Sequence, residues 1–107
     1  MTLLILASIL SAKAQDNTSE SFKVWGNCGM CKRTIESAAL NVKGVKSADW
    51  NMEDDMITVV FNPKKVGLDK IKTSIAASGY DTDTHRAPNN AYDKLHGCCK
   101  YERPQPN

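Results

Sequence analysis

Four cysteines stand in two tight pairs, Cys28 with Cys31 and Cys98 with Cys99, and the first pair carries the clearest chemistry in the chain. A Cys-x-x-Cys spacing where an extended segment passes into a helix lets two sulfurs converge on one ion across Gly29. The free N–H groups and partial positive charge of a helix N-terminus favour the thiolate, the form that ligates. Lys32 and Arg33 are placed to add to that field. Two thiolates with no obligatory third ligand suit a soft ion that tolerates low coordination. Cu(I) comes first and Hg(II) and Ag(I) fit on the same logic, while Zn(II) fits less well because its structural sites want four ligands. The same spacing also serves a structural disulfide and a redox-active pair in a thiol–disulfide oxidoreductase, and both readings stay open at this point.

The elements that must position these sulfurs follow from periodicity. Ser21 to Gly26 alternates, with Phe22 and Val24 on one face and Lys23 and Trp25 on the other, as a half-buried strand does. Ile35, Ala38, Ala39 and Val42 recur at helical spacing and Gly44 supplies a stop, so a helix is expected from about Met30 to Asn41. Ala48, Trp50 and Met52 alternate, Glu53-Asp54-Asp55 makes a turn, and Ile57, Val59 and Phe61 alternate again, which is a hairpin with Trp50 in the core. Asn62-Pro63 breaks the strand, and Leu68, Ile71 and Ile75 mark a second helix capped by Gly79. Tyr80 to Thr84 reads as a short last strand. The run Lys64-Lys65 with Lys70 and Lys72 reads as a solvated helix face.

The order β-α-β-β-α-β is the split βαβ, ferredoxin-like pattern: an α+β sandwich in which two helices cover one face of a four-stranded antiparallel sheet. That topology brings the cysteine loop, Glu53-Asp54-Asp55 and Ser78-Gly79-Tyr80 together at one end. It places a strand hairpin where a thioredoxin-like chain interposes other elements, which weighs against the oxidoreductase reading. A last strand running away from the loop leaves the tail roughly 15–20 Å off at about 3.3 Å per residue. The 12 residues between His85 and Cys98 span up to about 40 Å when extended, so the tail can return. It is expected to fold back over the open sheet face, with Tyr92 and Leu95 covering Trp25 and Val60. Cys98 or Cys99 then joins Cys28 and Cys31 in a three- or four-sulfur site, with His96 as a weaker candidate. The alternative is a disulfide between the two pairs, because adjacent cysteines rarely bond each other without strain.

Composition bounds the rest. A chain of 107 residues with 41% hydrophobic and 24% charged content suits one globular domain. Residues 1–14 read as a signal peptide, with an apolar run from Leu3 to Leu10 and small residues flanking Lys13 before a cut at Gln15. The expected location is therefore periplasmic or secreted, and no stable membrane insertion is expected after cleavage. The run is far short of the roughly 20 residues a bilayer span needs. Removing Lys13 takes the balance from 14 basic against 12 acidic residues to 13 against 12, a net charge of +1. No basic patch has the density that nucleic acid requires. There are no paired carboxylates in a catalytic context, no Ser-His-Asp arrangement and no glycine-rich phosphate loop, so the chain is not read as an enzyme.

Together the element order, the Gly26-Asn27-Cys28-Gly29-Met30-Cys31 loop, Thr34-Ile35-Glu36, Gly44-Val45 and Ser78-Gly79-Tyr80 resemble a heavy-metal-associated domain. That module is found in copper chaperones, copper-ATPase N-terminal domains and periplasmic mercury-binding proteins. The resemblance covers residues 21–85 and leaves 86–107 as a separate tail. It implies Cys28 and Cys31 as metal ligands, Tyr80 as a tyrosine standing behind them, and transfer of the ion by ligand exchange to a metal-transporting protein or efflux component, without turnover. The chain departs from the family two positions before the first cysteine, where a methionine usually packs inward to anchor the loop. Gly26 stands there, and Met30 is the candidate replacement.

Overall fold

The computed structural model of the chain describes residues 17–105. The signal-peptide reading of residues 1–14 lies outside them. Three strands form the sheet, β1 (Thr18–Lys23), β2 (Val45–Asn51) and β3 (Met56–Phe61), with helices α1 (Gly29–Leu40) and α2 (Leu68–Ala77) between and after them. The order across the sheet is β1-β3-β2, antiparallel throughout, with Phe22 opposite Ile57 and Trp50 opposite Ile57 from the other side. Alternation does what period-two patterning requires: Phe22 and Val24, Trp50, and Ile57, Val59 and Phe61 point to one face and are buried. That face packs against Cys31, Ile35 and Ala39 of α1 and Ile71 and Ile75 of α2 in one core. The Ser74 hydroxyl donates to the Ala38 carbonyl at 2.7 Å, stitching the two helices together.

Among the described residues the expected fourth strand is reduced to a single antiparallel bridge, Val24 with Thr82. The cause is local. The Thr82 hydroxyl accepts the amides of Thr84 and His85, and the Thr82 amide donates to the His85 carbonyl at 2.8 Å. A side-chain-stabilised turn thus replaces further ladder hydrogen bonds. The tail therefore never travels to the far end of the sheet. It turns back at once through a short helix, α3 (Asn89–Asp93), and a 3-10 turn at Gly97–Cys99.

Its path also differs from the one expected. Tyr92 and Leu95 do not roof Trp25 and Val60. The Tyr92 ring meets Tyr101 edge-on, and Leu95 lies where a Cβ on Gly79 would be, so both pack against the turn after α2. Met52 is 51% exposed in the hairpin turn instead of facing the core, and Lys72 is buried over the Phe22 ring and paired with Asp83 at 3.0 Å, away from any solvated face.

One clamp fixes β2 beneath the cysteine loop. The Trp50 amide donates to Glu36 Oε2 at 2.8 Å, and Lys32 Nζ donates to the Trp50 carbonyl at 2.7 Å and to Glu36 at 2.6 Å. Both outward backbone groups of an edge-strand residue are thereby satisfied by helix side chains. The indole Nε1–H donates inward to the Val24 carbonyl at 2.9 Å.

Candidate metal centre

The loop between β1 and α1 is tied at both flanks before the cysteines begin. The Val24 amide donates to the Asp55 carbonyl at 2.8 Å and the Trp25 amide to the Asp81 carbonyl at 2.9 Å. The hairpin turn and the segment after α2 thus meet the loop, as the topology demands. Gly26 then lies directly on the Trp50 ring: a Cβ there would stand 2.9 Å and 3.0 Å from two ring carbons and 3.1 Å from Ile35 Cδ1. The volume that a loop-anchoring methionine would take is filled from below by the indole. Met30 does not replace that anchor, being 44% exposed.

Cys28 occupies the N-cap position of α1 in extended conformation, φ −148° and ψ 179°, and Cys31 lies in the first turn, fully buried. Their sulfurs are 3.4 Å apart. Cys28 makes no conventional capping bond, yet its pKa is lowered to about 7. The Cys31 amide is the largest cause and the Cys31 thiol the next, with the Cys99 thiol and the Met30 amide adding to it against the opposing effect of burial. This is a helix N-terminus stabilising a thiolate. Lys32 does not contribute as expected, because its ammonium is committed to Glu36, Asp49 and the Trp50 carbonyl.

The second pair arrives from the tail. Cys28 Sγ is 3.6 Å from Cys99 Sγ and 3.9 Å from Cys98 Sγ, the latter two are 4.0 Å apart, and all three lie within 4.8 Å of one another. Cys99 is buried and Cys98 exposed, and all four thiols are free. Burial, then a hydrogen bond with Cys31, push the Cys99 thiol up to about 12, so it is held protonated in this arrangement. Asn27 donates its amide N–H to the Cys98 carbonyl at 3.2 Å, linking the two cysteine segments directly. His96 is not part of the group; its side chain is exposed, and its carbonyl accepts the Cys99 amide. Tyr80 is buried beneath the sulfurs. Burial first, then hydrogen bonds with Cys31 and Cys99, hold its hydroxyl protonated well above the usual tyrosine range.

What keeps the tail in place was not legible as a motif. Asp81 is fully buried and accepts from Arg103 Nε at 2.8 Å, Arg103 Nη2 at 2.7 Å and the Ala87 amide at 2.6 Å. Tyr101 stacks on Tyr80 with ring centroids 5.9 Å apart, and its hydroxyl donates to the Gly79 carbonyl at 2.9 Å while accepting the Asp81 amide at 2.8 Å. Arg103 also donates to the Ala87 carbonyl at 2.6 Å. The available signal was an acidic residue in a segment read as a strand and a lone arginine beyond the last cysteine, which sequence spacing does not pair.

Comparison with known proteins bears on the same residues. Residues 27–81 match the model of the heavy-metal-associated domain. The copper chaperone CopZ of Staphylococcus aureus (strain JH9) is 42% identical over 55 residues, which are 51% of this chain and 81% of that protein. A solved CopZ metallochaperone superposes with a TM-score of 0.59 at 39% identity, covering 61% of this chain and 98% of that one. A copper binding domain from a P-type ATPase does so with a TM-score of 0.59 at 30% identity, covering 61% and 89%.

Proposed function

The chain belongs to the heavy-metal-associated domain family, and from that premise we propose that it binds one soft metal ion, Cu(I), through Cys28 and Cys31 and passes it on by ligand exchange. The observation that carries this is the pair of free sulfurs 3.4 Å apart at the head of α1, one of them a thiolate near neutral pH. The ion is cargo. It meets the Cys28 thiolate first and the Cys31 sulfur beside it next. Tyr80, hydrogen-bonded to the Cys31 sulfur, stands behind the ligands as a fixed donor.

The similar proteins are by name CopZ copper chaperones and a copper binding domain, which supports a carrier and gives no support to a thiol–disulfide oxidoreductase. The ATPase domain among them supports a metal-transporting ATPase or efflux component as the receiving partner. Hg(II), Ag(I) and Zn(II) are the competing ions to test. The leader-like residues 1–14 support export to the periplasm or beyond, with residues 21–85 as the metal-binding unit and 86–107 as its appendage. Among the described residues no helix is long and apolar enough to cross a membrane.

The test is a titration of reduced protein with Cu(I) against a competing chelator, with a disulfide-reduction assay beside it. One ion per chain, abolished by Cys28→Ser with Cys31→Ser, and no reductase activity are expected. Reductase activity without tight Cu(I) binding would overturn the carrier reading.

A further inference from the structure

We infer that the C-terminal tail is a second ligand arm: Cys98 and Cys99 complete a three- or four-thiolate site with Cys28 and Cys31, so the ion is enclosed and not displayed on an open loop. The inference rests on the Cu(I)-carrier reading and adds the coordination number and the way the ion is released.

Sulfur spacing decides the coordination. With metal–thiolate bonds of about 2.3 Å, two opposed sulfurs stand about 4.6 Å apart, whereas three or four around one ion stand about 3.8–4.0 Å apart. Of the distances here, 3.9 and 4.0 Å match the second class and 3.4 and 3.6 Å are shorter still, so none has the spread of two opposed ligands. Cys28 is common to the first three of them and so is the hub of the group.

Placement of the tail points the same way. It is held by contacts that do not involve the sulfurs: the buried Asp81–Arg103 pair, Tyr101 stacked on Tyr80, and the Asn27 amide on the Cys98 carbonyl. The Tyr92 hydroxyl donates to the Tyr101 carbonyl at 2.6 Å and braces the same stretch. With Cys28 and Cys99 separated by 71 positions in sequence, chain proximity does not bring these sulfurs together; the clamp does. The 3-10 turn at Gly97–Cys99 directs two neighbouring side chains to one hub, Cys99 from the buried side and Cys98 from the rim.

Exposure orders the exchange. Cys98 is the reachable ligand, so an incoming partner thiolate replaces it first. Cys99 and Cys31 follow, each exchange forming one metal–sulfur bond to an incoming thiolate as another breaks, with the released sulfur free to take a proton from solvent and no change in oxidation state. An ion so held leaves more slowly than one held by Cys28 and Cys31 alone.

The experiment is X-ray absorption at the copper edge on the reduced full chain loaded with one Cu(I), beside Cu(I) affinity by chelator competition, for wild type, Cys98→Ser, and Cys98→Ser with Cys99→Ala. Three or four sulfurs are expected in wild type and two in the double variant. Since outer-sphere partners alone are worth about 10–100-fold in metal affinity, loss of two inner thiolates should raise Kd at least roughly 100-fold. Two sulfurs in wild type, or a Kd changed less than about threefold in the double variant, overturns the ligand arm and leaves the carrier reading standing. Absence of Cu(I) binding in wild type overturns both. The wild-type coordination number is decisive by itself, whether or not the Cys99 variant folds.

Discussion

Enlarging Gly26 tests how the cysteine loop is seated. A Cβ at this position would meet the Trp50 ring at 2.9 and 3.0 Å and Ile35 Cδ1 at 3.1 Å. The ring has little freedom to yield, being 1% exposed, bonded through Nε1 to Val24 and clamped through its backbone by Lys32 and Glu36. Overpacking of this kind costs about 1–3 kcal/mol. Losing glycine's freedom in the unfolded chain offsets about 0.4–1 kcal/mol of that. Gly26→Ala should therefore destabilise by roughly 1–2 kcal/mol, and at about 4–8 °C per kcal/mol for a domain of this size the melting temperature should fall by about 5–15 °C. Gly26→Met alone should be worse, and Gly26→Met with Trp50→Leu should recover at least about 1 kcal/mol relative to the sum of the single changes, because the thioether occupies the space the indole leaves. Urea unfolding of reduced, metal-free protein followed by circular dichroism measures all four corners of the cycle. A Gly26→Ala protein within about 0.5 kcal/mol of wild type, or an additive cycle, would refute the claim that the indole stands in for a loop-anchoring side chain.

Other outcomes follow from the tail and the thiols. Gly79 has φ +112°, and a Cβ there would lie 2.9 Å from Leu95 Cδ2 and 3.0 Å from the Ala91 carbonyl, so Gly79→Ala should loosen α3 and speed limited proteolysis between residues 86 and 97. Asp81→Asn breaks a buried ion pair and should cost about 3–5 kcal/mol at neutral pH. Burial raises the Asp81 carboxyl, but Arg103, the Ala87 amide and Tyr101 outweigh it and hold the group below the usual carboxylate range. Its contribution is thus complete above the unfolded value of about 3.9 and is lost as pH falls through the lower folded value, so urea midpoints of wild type should drop below pH 4 more steeply than those of Asp81→Asn. In a Cys98→Ser background, iodoacetamide should modify Cys28 at a rate that rises with pH and is half-maximal near pH 7, while Cys99 stays unmodified. Equal rates at Cys28 and Cys99 by mass spectrometry would contradict the ordering of the two thiols.

Most of the fold was legible because its signals are local. Phe22 with Val24, and Ile57 with Val59 and Phe61, alternate with a period only a strand satisfies, and the Cys-x-x-Cys loop opens a helix whose apolar face repeats at 3.6. The last strand was misread because Tyr80 to Thr84 has strand composition, whereas the Thr82 hydroxyl capturing two amides is a preference of geometry that hydropathy does not register. At the site, chain length allowed the two cysteine pairs to meet without requiring it. The route was not legible, since it depends on Asp81 meeting Arg103 across 22 positions and on Tyr101 finding Tyr80. Position 26 is the third case. Its glycine was visible as a departure, but the reason for it sits 24 residues away in the Trp50 ring, and only the packed structure puts the two together.

The single bridge at Thr82 has an effect along the rest of the border it sits on. Where a fourth strand would lie alongside β1, no strand among the described residues pairs with Thr18 to Ser21 on that side, while the border at β2 is shielded at Trp50 by Lys32 and Glu36. Open strand borders invite pairing with another chain, and short length, polar side chains and charge are what discourage it. Ser19, Glu20 and Ser21, all exposed, provide that defence here. The segment that would have sealed the border is the one that carries Cys98 and Cys99 back to the loop, so resistance to strand pairing between copies rests on two serines and a glutamate, and valines at all three positions should increase self-association in size-exclusion chromatography.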